Sequence, residues 1–579
     1  MKRADSDKTI DKRALVVGLL LSFWFGLVGV RAVYLQAFHD DWLSEKASSQ
    51  YEKTYQQMGK RGTIYDRNLR EMAVSIDAMS IAARPRQIKD VAKTATALAG
   101  ILDLDKNAIL QRLTSKQRFV WLDRQATPRE TNALIANPIE GISFQPEHQR
   151  FYPSRTLAAQ VVGFAGIDGR GLEGIEFHFD EFLKGDARNC TVLKDALGRG
   201  FSPDEADTVV PAGNNLILNI DQAVQYFVEQ ALAEAVKNAE ARSGMAIVMS
   251  PKTGAILALA HFPLLNPNAY DDVPREVRRN RAITDPFEPG STMKMFTAAA
   301  AIEHGGMNEN DVFFCEEGDY KVGKHTIHDT HSYGSLTLQR IVQVSSNIGA
   351  TKLAHRMGNE ALYRTLTAFG FGEKTGIDCP GESAGSLLPL ERWKSIDAAV
   401  IAFGQGVSAS AVQLIAAVSA LANDGVLMKP YIVQAITDSS GGIVKRFSPQ
   451  IVRQAVSPAT ARTVSRILET VTQEGGTGTA AAIESVRVAG KTGTAQKTDE
   501  TGRYAKGKFN SSFVGFIPAE NPQASILVIL DEPKKGHYGG TVAAPAFKKI
   551  AMELMNYLNT GTERSKEGLT AELGRGVRG

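Results

Sequence analysis

The sequence predicts an α+β protein in three parts: an N-terminal transmembrane helix, a mixed α/β region, and a larger domain in which a central sheet is flanked by helices. Three observations carry this reading. An uncharged apolar run stands near the start of the 579-residue chain. A turn-rich segment, Pro211-Ala212-Gly213-Asn214-Asn215, divides the chain after that run. Beyond it, strand-like runs lie at both ends of the remaining sequence with helical runs between them, which is the pattern of one sheet covered by helices. The length calls for more than one domain, and a hydrophobic content of 43% supplies enough apolar side chains for real cores.

The apolar run covers residues 14–30, seventeen positions without a charge, and Arg31 can snorkel so that residues 32–35 extend it. It exceeds a usual signal-peptide core, and no small-x-small cleavage site comes after it, which favours an uncleaved anchor over 14–35. Lys2, Arg3, Lys8, Lys12 and Arg13 precede it, so residues 1–13 are expected on the cytoplasmic side and the large remainder outside.

Residues 36–210 are mixed, with a helical run at 89–102. After the turn, residues 216–220 read as a strand, and Asp221 stands where an N-cap is needed for a helix over 222–239. Residues 245–249 and 255–260 form a hairpin pattern around Ser250-Pro251-Lys252-Thr253-Gly254. Helical runs dominate 291–422. Strands return at 486–489, 513–517 and 526–530, and a helix over 544–556 then ends the second domain, 211–560. The polar, Gly-containing tail at 561–579 is expected to be disordered.

Ser291 is the only serine with a lysine at the third position after it. Pro289 and Gly290 break the chain just before good helix formers, so Ser291 is expected in a first helical turn, with Lys294 returning to the same face. A serine hydroxyl becomes a useful nucleophile when a neighbour removes its proton, and a lysine amine does so when burial or nearby positive charge depresses its pKa. Downstream come Ser345-Ser346-Asn347 and Lys491-Thr492-Gly493-Thr494. Ser345 is placed to relay a proton, and the Asn347 amide to hold a substrate peptide group. Lys491 adds positive charge, and Thr492 and Thr494 add hydroxyls, just past a short strand-like run, Ser485-Val486-Arg487-Val488-Ala489. A strand edge binds an extended peptide by main-chain pairing, while the lysine and hydroxyls suit a terminal carboxylate.

Ser-x-x-Lys, Ser-x-Asn and Lys-Thr-Gly in this order resemble the motif set of penicillin-binding proteins and class A β-lactamases, with Ser346 where that set has Asp. The resemblance is to the class B penicillin-binding proteins, bitopic D,D-transpeptidases that crosslink peptidoglycan, and it runs from the membrane segment nearly to the C-terminus. Arg61-Gly62-Thr63-Ile64-Tyr65-Asp66-Arg67-Asn68 and Gly171-Leu172-Glu173-Gly174-Ile175-Glu176 are similar to motifs of that family's non-catalytic domain. Gly475-Gly476-Thr477-Gly478, Ser512-Phe513-Val514-Gly515-Phe516 and Tyr538-Gly539-Gly540 with Ala544-Pro545-Ala546-Phe547 are similar to its later landmarks. The branch it most resembles is the division-specific, penicillin-binding protein 3-like one. Ser410-Ala411 departs from the Thr-Pro of many relatives, outside the catalytic trio.

The resemblance implies a non-catalytic pedestal (dimerisation-like) domain over 36–210 and a transpeptidase domain with a central antiparallel sheet over 211–560. It implies Ser291 as the acylated nucleophile and Lys294 as its base. Ser345, Asn347 and Lys491 complete the catalytic set, and the backbone N–H groups of Ser291 and Thr494 form the oxyanion hole. It further implies stem peptides ending in D-Ala-D-Ala as substrate, β-lactams as inhibitors, a bacterial inner membrane with the catalytic domain periplasmic, and a membrane-embedded lipid II polymerase among other division proteins as partners. The transmembrane helix and residues 61–68 are where those contacts are expected. This chemistry requires no cofactor and no metal. Alternatives are an elongation-specific transpeptidase, a D,D-carboxypeptidase or β-lactamase that passes the acyl group to water, and a non-enzymatic divisome scaffold.

Other patterns carry less. A net charge of +3 with no basic stripe argues against nucleic acid. Gly490-Lys491-Thr492 lacks the glycine five positions before the Gly-Lys pair that a phosphate loop needs, because Ser485 stands there. Gly169-Arg170-Gly171-Leu172-Glu173-Gly174 fits a dinucleotide fingerprint, but no helix start is legible after it, so a turn is expected. His325, His328 and His331 lie in a polar stretch and read as solvated loop residues rather than metal ligands. Cys190, Cys315 and Cys379 are an odd, widely spaced set and read as small core residues.

Overall fold

A computed structural model describes residues 4–38, 52–194, 200–201, 210–498 and 503–575. They fall into two compact units. The smaller comprises residues 1–59 and 185–211. In it, helix α1 (Ala4–Phe38) contains the segment Lys12–Ala37, the one span among the described residues long and apolar enough to cross a membrane. Its remaining strands, Glu52–Met58, Ala187–Lys194 and Gly200–Phe201, pair antiparallel as a three-stranded sheet.

The larger unit comprises residues 60–184 and 212–579. One of its sheets has seven strands and crosses the sequence boundary read at 210. Strands Ile64–Tyr65, Glu71–Ala83, Val120–Ala126 and Ile142–Phe151 come from before that boundary, whereas Asn215–Leu218, Val433–Thr437 and Ile443–Arg446 come from after it. The junction is parallel, Ile64 opposite Leu216 and Tyr65 opposite Ile217. Beside this junction lies a buried ion cluster. Arg61 reaches Glu176 and Asp180, each at 2.6 Å, and Arg150 reaches the other oxygen of Glu176 at 2.6 Å. Burial alone would push the Glu176 carboxyl up, but Arg150 and Arg61 outweigh it and hold the group below the usual carboxylate range. The two pedestal motifs therefore meet inside the protein. Arg61 and Asp66 face inward rather than outward, which removes both from the surface expected to receive a partner. The glycine-rich stretch is a turn: Gly169 has φ +74° and accepts from Arg61 through its carbonyl, and only a five-residue helix, Gly174–His178, comes after it.

The second sheet is five-stranded and antiparallel throughout. Helix α2 (Gln222–Asn238) precedes it, with Asp221 capping the N–H groups of Ala223 and Val224 as expected. Strands β1 (Ser243–Met249) and β2 (Ile256–Phe262) are the expected hairpin. Then come α3 (Lys294–Glu303), α4 (Leu338–Val344), α5 (Asn347–Met357) and α6 (Ala411–Ala422). The chain closes with β3 (Ala489–Thr498), β4 (Tyr504–Ile517), β5 (Ala524–Asp531) and α7 (Ala544–Arg575). The strand order β2-β1-β5-β4-β3 puts β3 at an edge. Strand alternation divides the core: Ala246 and Val248 pack with α2 and α7, while Met245, Ile247 and Met249 join the core that holds α3 and α6.

Several elements differ from the sequence reading. Strand β3 starts at Ala489 and carries Lys491, Thr492, Gly493 and Thr494 within it, because pairing with β4 continues from Ala489–Phe516 through Thr494–Ser511. Residues 325–328 form a strand paired with Asp319–Val322. The last helix continues past 556 and includes residues 561–575, where a disordered tail is expected; the stretch carries helix-favouring Glu563, Glu567, Leu569, Glu572 and Leu573 alongside Gly561, Gly568 and Gly574. Residues 576–579 of that tail lie outside the described residues. Ser410 caps α6 in a box with Gln413, so Ser-Ala serves as a helix start where relatives have Thr-Pro.

Glu176 is fully buried between two arginines, so removing it strips buried Arg150 of its carboxylate partner and leaves Arg61 with Asp180 alone. Glu176→Ala is expected to destabilise the larger unit by about 3–5 kcal/mol, measured as the shift of its denaturant transition, whereas Asp77→Ala at the exposed Lys60 pair is expected to cost under about 1 kcal/mol.

Candidate active site

Ser291 lies in a 3-10 turn, Gly290–Met293, immediately before α3 rather than in the first turn of the α-helix. Gly290 is forced to φ +55° and its N–H donates to the Gly404 carbonyl at 3.1 Å. Gly404 itself has φ +85°, and a Cβ there would stand 2.0 Å from the Gly290 oxygen. Only glycine lets the 404–406 loop seat the nucleophile turn this closely. Glu288 ties the same turn down, accepting from the Gly406 N–H at 2.9 Å and the Tyr504 hydroxyl at 3.1 Å. The turn also packs on edge strand β3, since a Cβ on Gly493 would meet Thr292 at 2.8 Å.

Helix α3 is buried almost all round, and it carries Lys294 into that interior, where the residue is 1% exposed. The Lys294 amine reaches Ser291 Oγ at 3.0 Å, Ser345 Oγ at 3.1 Å, the Ser345 carbonyl at 2.7 Å and Asn347 Oδ1 at 2.7 Å. Burial lowers its pKa to about 7, against a smaller upward pull from Asp329. Near neutral pH about half of the population is therefore the free amine. That form has two N–H donors and one lone pair. The two carbonyl oxygens can only accept, so they claim the donors, and the lone pair is left for a hydroxyl of Ser291 or Ser345. The geometry is that of a base set between two serines.

Ser345 is held at φ +65° as the C-cap of α4, and Ser346 starts α5 by accepting from the Gly349 N–H. The break between the helices thus presents Ser345 and Asn347 toward Lys294. Asn347 is oriented at both ends of its amide: Oδ1 accepts from Lys294, and Nδ2 donates to the His328 carbonyl at 2.9 Å. Asp329 accepts from the Ser346 hydroxyl, the Asn347 N–H at 2.5 Å and the Ile348 N–H at 3.1 Å. Sequence reading missed this carboxylate, which arrives from a hairpin sixteen positions before Ser345. His328 pairs with Asp319, and among the described residues no cluster of His, Cys, Asp and Glu is arranged for a metal ion. Cys315 and Cys379 are buried free thiols, and burial pushes both up. The Cys190 side chain lies outside the described residues.

On β3, Lys491 is fully buried, and burial together with the Lys294 charge pushes its amine well down. Its Nζ lies 3.2 Å from Thr492 Oγ1, which is 2.9 Å from Thr477 Oγ1. The Thr492 hydroxyl thus links Lys491 to Thr477. Thr494 is partly exposed and accepts from the Gly539 N–H at 3.1 Å. Gly290 touches the Thr494 backbone, since a Cβ there would lie 3.0 Å from its oxygen. All the predicted site residues thus gather where α3, the α4–α5 break and β3 meet.

This arrangement is matched by a family model described as the penicillin binding protein transpeptidase domain over residues 244–552, and residues 56–218 match the penicillin-binding protein dimerisation domain. The chain belongs to the class B penicillin-binding proteins. It is 36% identical over 557 residues, 95% of this chain and 93% of the relative, to a Neisseria gonorrhoeae protein named "Probable peptidoglycan D,D-transpeptidase PenA". It is 34% identical over 555 residues, 94% and 92% of the two chains, to the peptidoglycan D,D-transpeptidase FtsI of Escherichia coli. Among solved structures it is similar to penicillin-binding protein 3 of Mycobacterium tuberculosis complexed with aztreonam. The TM-score is 0.68 at 29% identity, covering 87% of this chain and 97% of that one. Ser291, Lys294, Ser345, Asn347 and Lys491 all lie within the residues matched by the transpeptidase-domain model.

The depressed pKa of Lys294 is directly observable. With lysines carrying ¹³C-methyl labels, one amine resonance is expected to titrate near pH 7 and to vanish in Lys294→Ala. Titration of every amine above about pH 9 would contradict the buried-base geometry.

Proposed function

We propose that this chain is a serine D,D-transpeptidase that crosslinks peptidoglycan stem peptides through an acyl-enzyme on Ser291, and that it works at the division septum. The observation that carries the reading is the Lys294 amine, buried, near neutral in pKa, and within hydrogen-bond distance of both Ser291 and Ser345. In the first step Lys294 takes the Ser291 proton as Oγ attacks the carbonyl between the two terminal D-Ala residues. The oxyanion is received by the N–H groups of Ser291 and Thr494. The C–N bond breaks, and terminal D-Ala leaves with a proton passed from Lys294 through Ser345. The amine of a second stem peptide then attacks the ester, gives up its proton along the reverse path, and releases Ser291 with a new peptide bond. Asn347 holds the donor peptide group. Lys491 sits beside the terminal carboxylate, whose negative charge favours the ammonium form that burial disfavours.

A β-lactam enters the same first step but keeps its leaving group tethered, so the acyl-enzyme persists. Lys2, Arg3, Lys8, Lys12 and Arg13 support a cytoplasmic N-terminus and a periplasmic catalytic unit, with 36–210 read as pedestal and 211–560 as transpeptidase domain. A membrane-embedded lipid II polymerase and other division proteins are the proposed partners.

Full-length protein is expected to label with fluorescent penicillin and to form crosslinked dimer from stem peptides, and Ser291→Ala to lose both. Lys294→Ala should slow acylation by about 10²–10⁴-fold. Free hydrolysis product without dimer would show a carboxypeptidase instead. Depletion in the native host should give filaments, whereas rounded cells would indicate elongation.

A further inference from the structure

The Asp329 carboxylate contacts neither Ser291 nor Lys294 through any described hydrogen bond, yet three donors of the α4–α5 break converge on it. Its Oδ2 accepts from the Ser346 hydroxyl at 2.5 Å, and its Oδ1 accepts from the N–H groups of Asn347 at 2.5 Å and Ile348 at 3.1 Å. Its own N–H donates to the Gly318 carbonyl at 3.0 Å, so the carboxylate is anchored in the hairpin rather than in α5. The residue before it, His328, offers the carbonyl that takes Asn347 Nδ2. One short segment therefore fixes the backbone start of α5 and the amide orientation of Asn347 together. Ser346 is 1% exposed, so the partner of its hydroxyl cannot be replaced by bulk water.

We propose that Asp329 is a positioning residue of the transpeptidase: its carboxylate holds the first turn of α5 so that Ser345 and Asn347 stay within reach of the Lys294 amine. The inference rests on the assignment of Ser291 as nucleophile and Lys294 as base. A helix cap alone would require one acceptor for one or two free N–H groups. Here the carboxylate also takes the hydroxyl of the residue between Ser345 and Asn347, which couples cap and site.

The charges around this pair are few. Lys294 faces Asp329 and Lys491. Asp329 in turn faces Lys294, the Cys315 thiol and the Tyr333 hydroxyl, with Lys352 and Glu316, themselves paired at 2.5 Å, farther around Cys315. The negative charge of Asp329 favours the ammonium form of Lys294. Removing that charge lowers the Lys294 pKa further, so the free base persists to lower pH and the acid limb of the acylation profile moves down.

The test is the acylation rate of the full chain by a fluorescent penicillin between about pH 5 and pH 9, with Ser291→Ala as reference and thermal unfolding as a check on folding. Asp329→Asn is expected to slow the plateau by about tenfold, one charge-assisted hydrogen bond, and to shift the acid limb to lower pH. Asp329→Glu, which keeps the charge but misplaces it, is expected to slow the plateau and leave the limb where it is. Wild-type plateau rates in both variants overturn the proposal. So does a folded Asp329→Asn that is slow with an unmoved limb, which is what a mere cap would give. If Asp329→Asn does not fold, Asp329→Glu decides by its rate alone. Wild-type protein that fails to label, or Ser291→Ala that labels, instead defeats the underlying nucleophile assignment.

Discussion

Everything at the site depends on one amine kept out of water. Lys294 meets four oxygens, two of which can only accept, and its burial makes the free-base form accessible near neutrality. Those two facts together decide where the lone pair points. An exposed lysine at the same spacing would be an ammonium ion with water for partners and no capacity to remove a proton. The near-complete burial of α3 is therefore as much part of the chemistry as the motif itself, because it keeps Lys294 out of solvent.

The surrounding elements fix that amine's partners in place. The glycines at 290 and 404 allow two loops to touch by backbone alone, and the 3-10 turn then delivers Ser291 at the start of the helix that carries its base. The α4–α5 break supplies the two acceptors and the second hydroxyl from only three residues. Edge strand β3 closes the third side and brings a second buried lysine within electrostatic reach of the first. Two amines sharing one desolvated pocket leave it short of negative charge, a condition that a substrate carboxylate relieves.

Much of this is legible in the sequence because the chemistry is written in short local motifs. Ser291 with Lys294, Ser345 with Asn347, and the 491–494 run each fall within four consecutive residues, so spacing alone places their side chains near one another. The caps at Asp221 and Ser410 are equally local, although only the first reads as a cap from sequence. What escapes is what tertiary pairing creates. Asp329 looks like one polar residue among histidines, and nothing in its neighbours shows that a hairpin carries it to the start of α5. Strand β3 reads as ending where the motif begins, since Gly490 and Gly493 weaken any strand signal and only the partner β4 supplies it. Thr492 reads as a ligand contact, and nothing local shows that its hydroxyl also meets Thr477, from a loop fifteen positions away. Arg61 stands out as a motif residue without its reason, which is the carboxylate of Glu176 in the interior.

The seven-stranded sheet has a consequence for how the chain is made. Ile64–Tyr65 finds its parallel neighbour about 150 residues later, and that neighbour's other edge waits for Val433–Thr437, more than 200 residues beyond. Contacts of such long range close slowly, and synthesis proceeds from the N-terminus. A growing chain thus holds open strand edges until most of its length exists. Its early segment cannot mature as an independent domain. Aggregation risk is concentrated in that interval, and any factor that shields edge strands while the chain emerges acts on the first 150 residues rather than on the catalytic centre.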